Sequence, residues 1–267
     1  MDPLLDAYQQ HRRSNNNPTL MPCNINNNSC GENRIFFETF FTGWLIRQKN
    51  YLDKLMSARK NSQNISEMEL RSLVFQIITH YQQYYAAKVT AARKDVFVMF
   101  APPWFSSYER TYLWITGFKP SLAFSILDKS VVNQDELTDE QLEALCRLRV
   151  QTKTAERELN NEMARVQESL ALPPLVNIVS RVNPAGRRVD GGETVDAAMK
   201  ALTKDMEILV ESADFLRMTT AMKIVNILSP DQSVKFLAAA TQLQVNIRTY
   251  AGFAKRCRER RPKYHGE

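Results

Sequence analysis

From Ile35 onward the apolar residues of this chain return every three or four positions, and polar ones fill the gaps. Ile35, Phe36, Phe40, Trp44, Leu45, Leu52 and Leu55, with Gln48 among them, predict an amphipathic helix from Ile35 to about Arg59. Leu70, Leu73, Val74, Ile77, Ile78, Tyr81, Tyr84 and Tyr85 predict a second. Over 138–171 the stripe Leu145, Leu148, Thr152, Ala155, Leu159, Met163, Val166, Leu170 advances by threes and fours, close to a heptad. Such a seam suits either a zipper between chains or packing inside one bundle, and its Thr and Ala positions favour the bundle. Ala198, Met199, Leu202, Met206, Leu209, Val210, Ala213 and Leu216 mark another helix, and Ser233 to Tyr250 the last.

Four capping boxes punctuate this pattern where the periodicity restarts: Ser66 with Glu69, Ser106 with Glu109, Thr138 with Gln141, and Ser229 with Gln232. In each, the hydroxyl accepts from a free backbone N–H and the Glu or Gln side chain reaches back to the cap. Pro230 takes the first helical position of the last helix, where its missing N–H costs nothing. Pro173-Pro174 ends the long helix, and 183–193 reads as a loop. Only 8 glycines in 267 residues, with abundant helix formers, complete the case for an all-α fold, a multi-helix bundle forming a single domain. The expected boundaries are a disordered Asn-rich arm over 1–33, a helical domain over 34–252 and a basic tail over 253–267.

Composition narrows the function classes. The four cysteines (Cys23, Cys30, Cys146, Cys257) have neither metal-site nor paired spacing and read as reduced thiols. The start Met1-Asp2-Pro3 does not read as a secretory leader, and the longest apolar run falls short of the roughly 20 residues that span a bilayer. A soluble protein of the nucleus and cytoplasm is expected. His11, His80 and His265 stand beside no nucleophile, and no phosphate-cradling glycine loop occurs, so no catalytic residue is assigned and an enzyme is not expected. His80, followed by Tyr81, Tyr84 and Tyr85, is the one constellation that could hold a flat cofactor, although packing alone also explains it. The tail residues Lys255, Arg256, Arg258, Arg260, Arg261 and Lys263 suit a nuclear-import signal, a phosphate contact or a solubilising end. No metal site and no cofactor are expected.

The stretch Asp95–Pro120 gathers Trp104, Trp114 and six Phe or Tyr rings around Pro102-Pro103, and reads as a core corner, a docking face or a ligand pocket. Of Trp44, Trp104 and Trp114, at least two are expected in the core, with Trp44 the exposed one.

The runs FFETFFTGWLIRQKNYLDKLMSA, ELRSLVFQIITHYQQYYAAKVTAARKDVF, PPWFSSYERTYLWITGFKPS and LSPDQSVKFLAAATQLQ, in this order, resemble the plant delay-of-germination (seed dormancy control) domain over residues 35 to 250. The same domain forms the C-terminal half of TGA-type bZIP transcription factors, whose basic zipper region has no counterpart here. The resemblance implies a non-enzymatic regulator in abscisic-acid, seed dormancy, germination or stress signalling, acting through partners and on transcription. It implies a partner-binding segment at Phe41, Trp44 and Gln48, with type 2C protein phosphatases or transcription factors as partners; Gly43 stands where relatives carry an acidic residue. Haem, associated with late histidines in the dormancy protein, does not carry over, since Gln242, Gln244 and Asn246 occupy that region. A sensor of haem or a fatty acyl chain, a DNA-associated regulator and a homo-oligomer remain alternative readings; sequence-specific DNA binding by the chain alone is not expected.

Overall fold

The computed structural model describes residues 27–61, 64–132, 137–173 and 192–259. Among these the fold is all-α: α1 (Asn27–Lys60), α2 (Glu67–Ala92), two short helices α3 (Phe97–Phe100) and α4 (Ser107–Arg110), α5 (Leu122–Leu127) running into a π-turn at Asp128–Val132, then α6 (Asp139–Ser169), α7 (Gly192–Ile227) and α8 (Pro230–Glu259). All four capping boxes form. Ser66, Ser106 and Thr138 cap α2, α4 and α6 reciprocally, and at α8 Ser229 N–H donates to Gln232 Oε1 (2.9 Å) while Gln232 N–H donates back to Ser229 Oγ (3.3 Å).

Two helices run further than periodicity indicated. α1 begins at Asn27, so residues 27–33 of the expected arm are helical, and residues 1–26 lie outside the described residues. α8 continues to Glu259, through the first part of the expected tail. Both extensions have one cause: adding a residue to an existing helix costs little once the packed stretch has nucleated it, and no proline interrupts before Pro262. The expected loop 183–193 falls almost wholly outside the described residues, with Gly192 opening α7.

α2 packs against α1, α7 and α8; α1 and α8 pack on each other; α6 lies along α7. The near-heptad of α6 is thus a seam within the chain. Leu145, Leu148 and Thr152 are buried in it, and Thr152 Oγ1 lies 3.4 Å from Thr220 Oγ1 of α7. One core cluster is aliphatic, built on Leu55, Ile77, Ile78, Leu127 and Met222. The second is aromatic, built on Phe37, Phe41, Trp44 and Trp104 with Val96, Met99 and Val210.

Asp95–Pro120 is the corner that joins α2 to α5. The Asp95 carboxylate accepts from the N–H groups of Phe97 and Val98, starting α3. The α4 cap residue Glu109 is buried and also receives Arg248 of α8 at 2.8 and 2.9 Å, and Arg248 donates as well to Trp104 O (2.8 Å). Trp44 and Trp104 are core, and the half-buried tryptophan is Trp114. This corrects the expectation that Trp44 would be the exposed one: its helix turns that face toward α2.

Candidate functional site

Tyr81, Tyr84, Tyr85 and Lys88 stand at i, i+3, i+4 and i+7 on α2 and therefore share one face. That face lines a recess that is partly open to solvent, about 730 Å³ counting the open space at its mouth. Phe41, Trp44 and Leu45 of α1 form one wall, Phe105, Leu113 and the turn Thr116–Phe118 another, and Gln244, Ile247 and Arg248 of α8 a third.

Its floor is ionic. Lys88 (2% exposed) and Asp214 (1%) pair at 2.9 Å, and Arg217 binds the same Asp214 oxygen. Both cations also hold the turn 114–117. Lys88 Nζ donates to Thr116 O (2.9 Å), while Arg217 donates to Trp114 O, to Ile115 O (2.8 Å) and to Phe118 O (2.6 Å). The turn needs such restraint. Trp114 and Gly117 exchange backbone hydrogen bonds across two residues with positive φ, Ile115 (41°) and Thr116 (63°), both β-branched. Left-handed backbone at such residues costs on the order of 1–3 kcal/mol each. A Cβ at Gly117 would lie 2.8 Å from the Arg217 guanidinium carbon, so any side chain there would displace the guanidinium from the carbonyls it holds. Burial pulls the Lys88 ammonium down to about 8, against Asp214, which raises it, and with Arg217, which lowers it further. The Tyr84 and Tyr85 hydroxyls are pushed up, first by burial and then by the Asp214 charge.

Phe41, Trp44 and Gln48, expected as partner contacts, all face inward. Trp44 (3% exposed) stacks on the His80 ring at 4.6 Å and 5° and donates from Nε1 to His80 O (3.0 Å). Gln48 (0% exposed) donates to Tyr81 Oη (2.6 Å) and Gln244 Oε1 (2.8 Å), tying α1, α2 and α8 together. Phe41 stacks near-parallel to Phe37 and Trp44, with the Arg248 guanidinium 5.8 Å from its ring centre. As they stand, these side chains hold the helices together, and the same helix turns Ile35 (65% exposed) and Ile46 (62%) outward.

The faces of the His80 ring are taken by Trp44 and by Tyr51 (4.9 Å), and its Nε2 is buried without a partner. Burial, with Arg47 nearby, lowers its pKa from 6.5 to about 4. The unfolded chain therefore takes up the proton first as pH falls. The stability this gives is whole above about pH 6.5 and is lost toward pH 4, amounting to about 2–3 kcal/mol between pH 7 and 4.5. Urea denaturation at those two pH values should show His80→Phe losing less stability on acidification than the parent by that amount; an equal loss refutes the assignment.

Among the described residues no cluster of His, Cys, Asp and Glu could hold a metal, and no helix is long and apolar enough to cross a membrane. Lys255, Arg256 and Arg258 sit in the last turns of α8; Arg260, Arg261 and Lys263 lie outside the described residues. Lys88, Asp214, Arg217 and the Glu109–Arg248 pair were not singled out from the sequence. The available signal was a charge on an apolar stripe: Lys88 continues Tyr81, Tyr84 and Tyr85, and Asp214 and Arg217 continue Val210 and Ala213.

The pattern of the DOG1 family, described as seed dormancy control, matches residues 51–129. Over 218 residues the chain is 39% identical to Protein RESPONSE TO ABA AND SALT 1 of Arabidopsis thaliana, covering 79% of this chain and 93% of that protein. It is 37% identical to Protein DOG1-like 4 of the same plant over 217 residues, 80% of this chain and 91% of the relative. Transcription factor TGA4, also from Arabidopsis thaliana, is 31% identical over 228 residues, which are 84% of this chain and 58% of TGA4.

Proposed function

Given that the chain belongs to the seed dormancy control (DOG1) family, we propose that it is a non-enzymatic regulator acting through protein–protein contacts in seed dormancy, germination and the abscisic-acid and salt response, with transcriptional control as its output. Its relatives' names point to the abscisic-acid and salt response and to transcription factors. The observation that carries the reading is the two-sided character of α1. One side supplies Phe41, Trp44 and Gln48 to the interior, and the other presents Ile35 and Ile46 to solvent. Those two residues stand three turns, about 16 Å, apart on one line of the helix. With exposed Glu38, Thr39 and Thr42 between them, they are two separate apolar anchors in a polar surround on a rigidly held helix, a form in which a helix can seat in a partner's groove.

Partners of this kind are transcription factors or type 2C protein phosphatases, both of which the family resemblance implies. A regulator of this sort works in the nucleus and cytoplasm, with the basic tail as its nuclear address. Association with DNA has only the charge of that tail in its favour. Binding to purified candidates of both classes tests the reading. Ile46→Glu should weaken the complex at least about tenfold, since a charge is forced into an apolar contact, and should leave the thermal midpoint within about 2 °C. Unchanged affinity for every partner that the parent binds places the docking face elsewhere.

A further inference from the structure

We infer that the recess behind the tyrosine stripe is a binding site for a small organic carboxylate with a compact, ring-shaped apolar body. Three observations converge on this. Thr116, 5% exposed, lines the recess and its Oγ1 has no hydrogen-bond partner. A buried hydroxyl left unpaired is costly, and a ligand oxygen placed against it removes that cost.

Beside it stands an excess of positive charge. Lys88 and Arg217 share the single carboxylate of Asp214, which does not itself line the recess, while Glu109 and Arg248 neutralise each other. Lys88 spends two of its three N–H groups on Thr116 O and Asp214 Oδ1, so one remains for an acceptor. Lys88 and Thr116 both line the recess and are joined through the Lys88 Nζ–Thr116 O bond, which puts a charged donor and an unpaired hydroxyl on two neighbouring residues of one wall, a combination that suits a carboxylate.

The shape restricts the rest of the ligand. Trp44, Phe41, Phe105 and Phe118 supply flat walls suited to a ring. A second recess lies toward Ile78, Ile126 and Phe236, and Tyr81, Tyr85, Phe118, Arg217 and Gln244 line both. Tyr81 Oη donates to Gln244 Oε1 (2.8 Å) and Arg217 to Phe118 O, so hydrogen-bonded side chains stand between the two spaces. An extended acyl chain would have to break that partition, whereas a compact body fits on one side of it.

Calorimetry on the full chain tests this with naphthalene-2-carboxylate, its neutral carboxamide and dodecanoate as probes. The carboxylate is expected to bind saturably at one site per chain, at least about tenfold tighter than the carboxamide, because only the anion meets the charged donor. Thr116→Val, of the same shape, should weaken it about fivefold or more, and Lys88→Met should abolish the preference over the carboxamide. Ile46→Glu should change none of these values, which separates this site from the docking face of α1. No saturable binding of the carboxylate, equal binding of the carboxamide, or an unaffected Thr116→Val overturns the inference. Dodecanoate binding tighter than the naphthoate also overturns it, in favour of an extended chain. If Lys88→Met does not fold, the comparison of carboxylate with carboxamide on the parent protein decides alone.

Discussion

Asp214→Ala should cost about 3–5 kcal/mol of stability, because it strands two buried cations at once. Lys88 and Arg217 each keep their bonds to the carbonyls of residues 114–118, but carbonyl dipoles do not cancel a charge. For a domain of this size the loss corresponds to a fall in thermal midpoint of about 6–20 °C. Asp214→Asn retains an oxygen where both cations donate but gives up its charge, and should lose less. Thermal and urea denaturation by circular dichroism read both variants. A loss for Asp214→Ala below about 1 kcal/mol would mean that the turn's carbonyls and the neighbouring tyrosine hydroxyls suffice, and the ionic floor would then be an accessory of the fold.

Trp44→Ala comes second, at about 3–5 kcal/mol. The indole stacks on His80, meets Phe41, Tyr81 and Tyr84, and closes a hydrogen bond to the His80 carbonyl. Its removal opens a large void where α1 meets α2, a site that cannot collapse because Gln48 is fixed one turn further on. Trp44→Phe keeps most of the packing and forfeits chiefly the Nε1 bond, about 1 kcal/mol. Equilibrium urea unfolding separates the two. A Trp44→Ala protein as stable as the parent but unable to bind a partner would return this residue to the interface that the family resemblance implied.

Sequence reasoning succeeded here where the signal is local. A capping box needs only four residues, so Ser66, Ser106, Thr138 and Ser229 were legible without any fold. Helical spacing showed that Trp44 and Gln48 lie on an apolar stripe, but periodicity does not say what the stripe meets. Phe41, Trp44 and Gln48 could therefore be read as docking residues until α2 and α8 were seen to cover them. The recess was harder still. Tyr81, Tyr84 and Tyr85 were visible as a line, yet the groups that make the line a cavity wall, Thr116, Arg217 and Gln244, arrive from three distant segments. Lys88 and Asp214, 126 positions apart, carry no mark in a single sequence beyond being charges where an apolar residue would be ordinary.

The turn at 114–117 bears on how the chain reaches its native state. Its backbone is held in shape by Arg217, which binds Ile115 O from 102 positions further along. The segment 51–129, by which the family is recognised, contains the turn and Lys88 but neither Arg217 nor Asp214. Cut out alone, it would carry the strained turn and lack its chief clamp, so the recognisable unit of sequence is smaller than the cooperative unit of folding. During synthesis the residues that clamp the corner, and with it one wall of the tyrosine recess, become available only after α7 has been made.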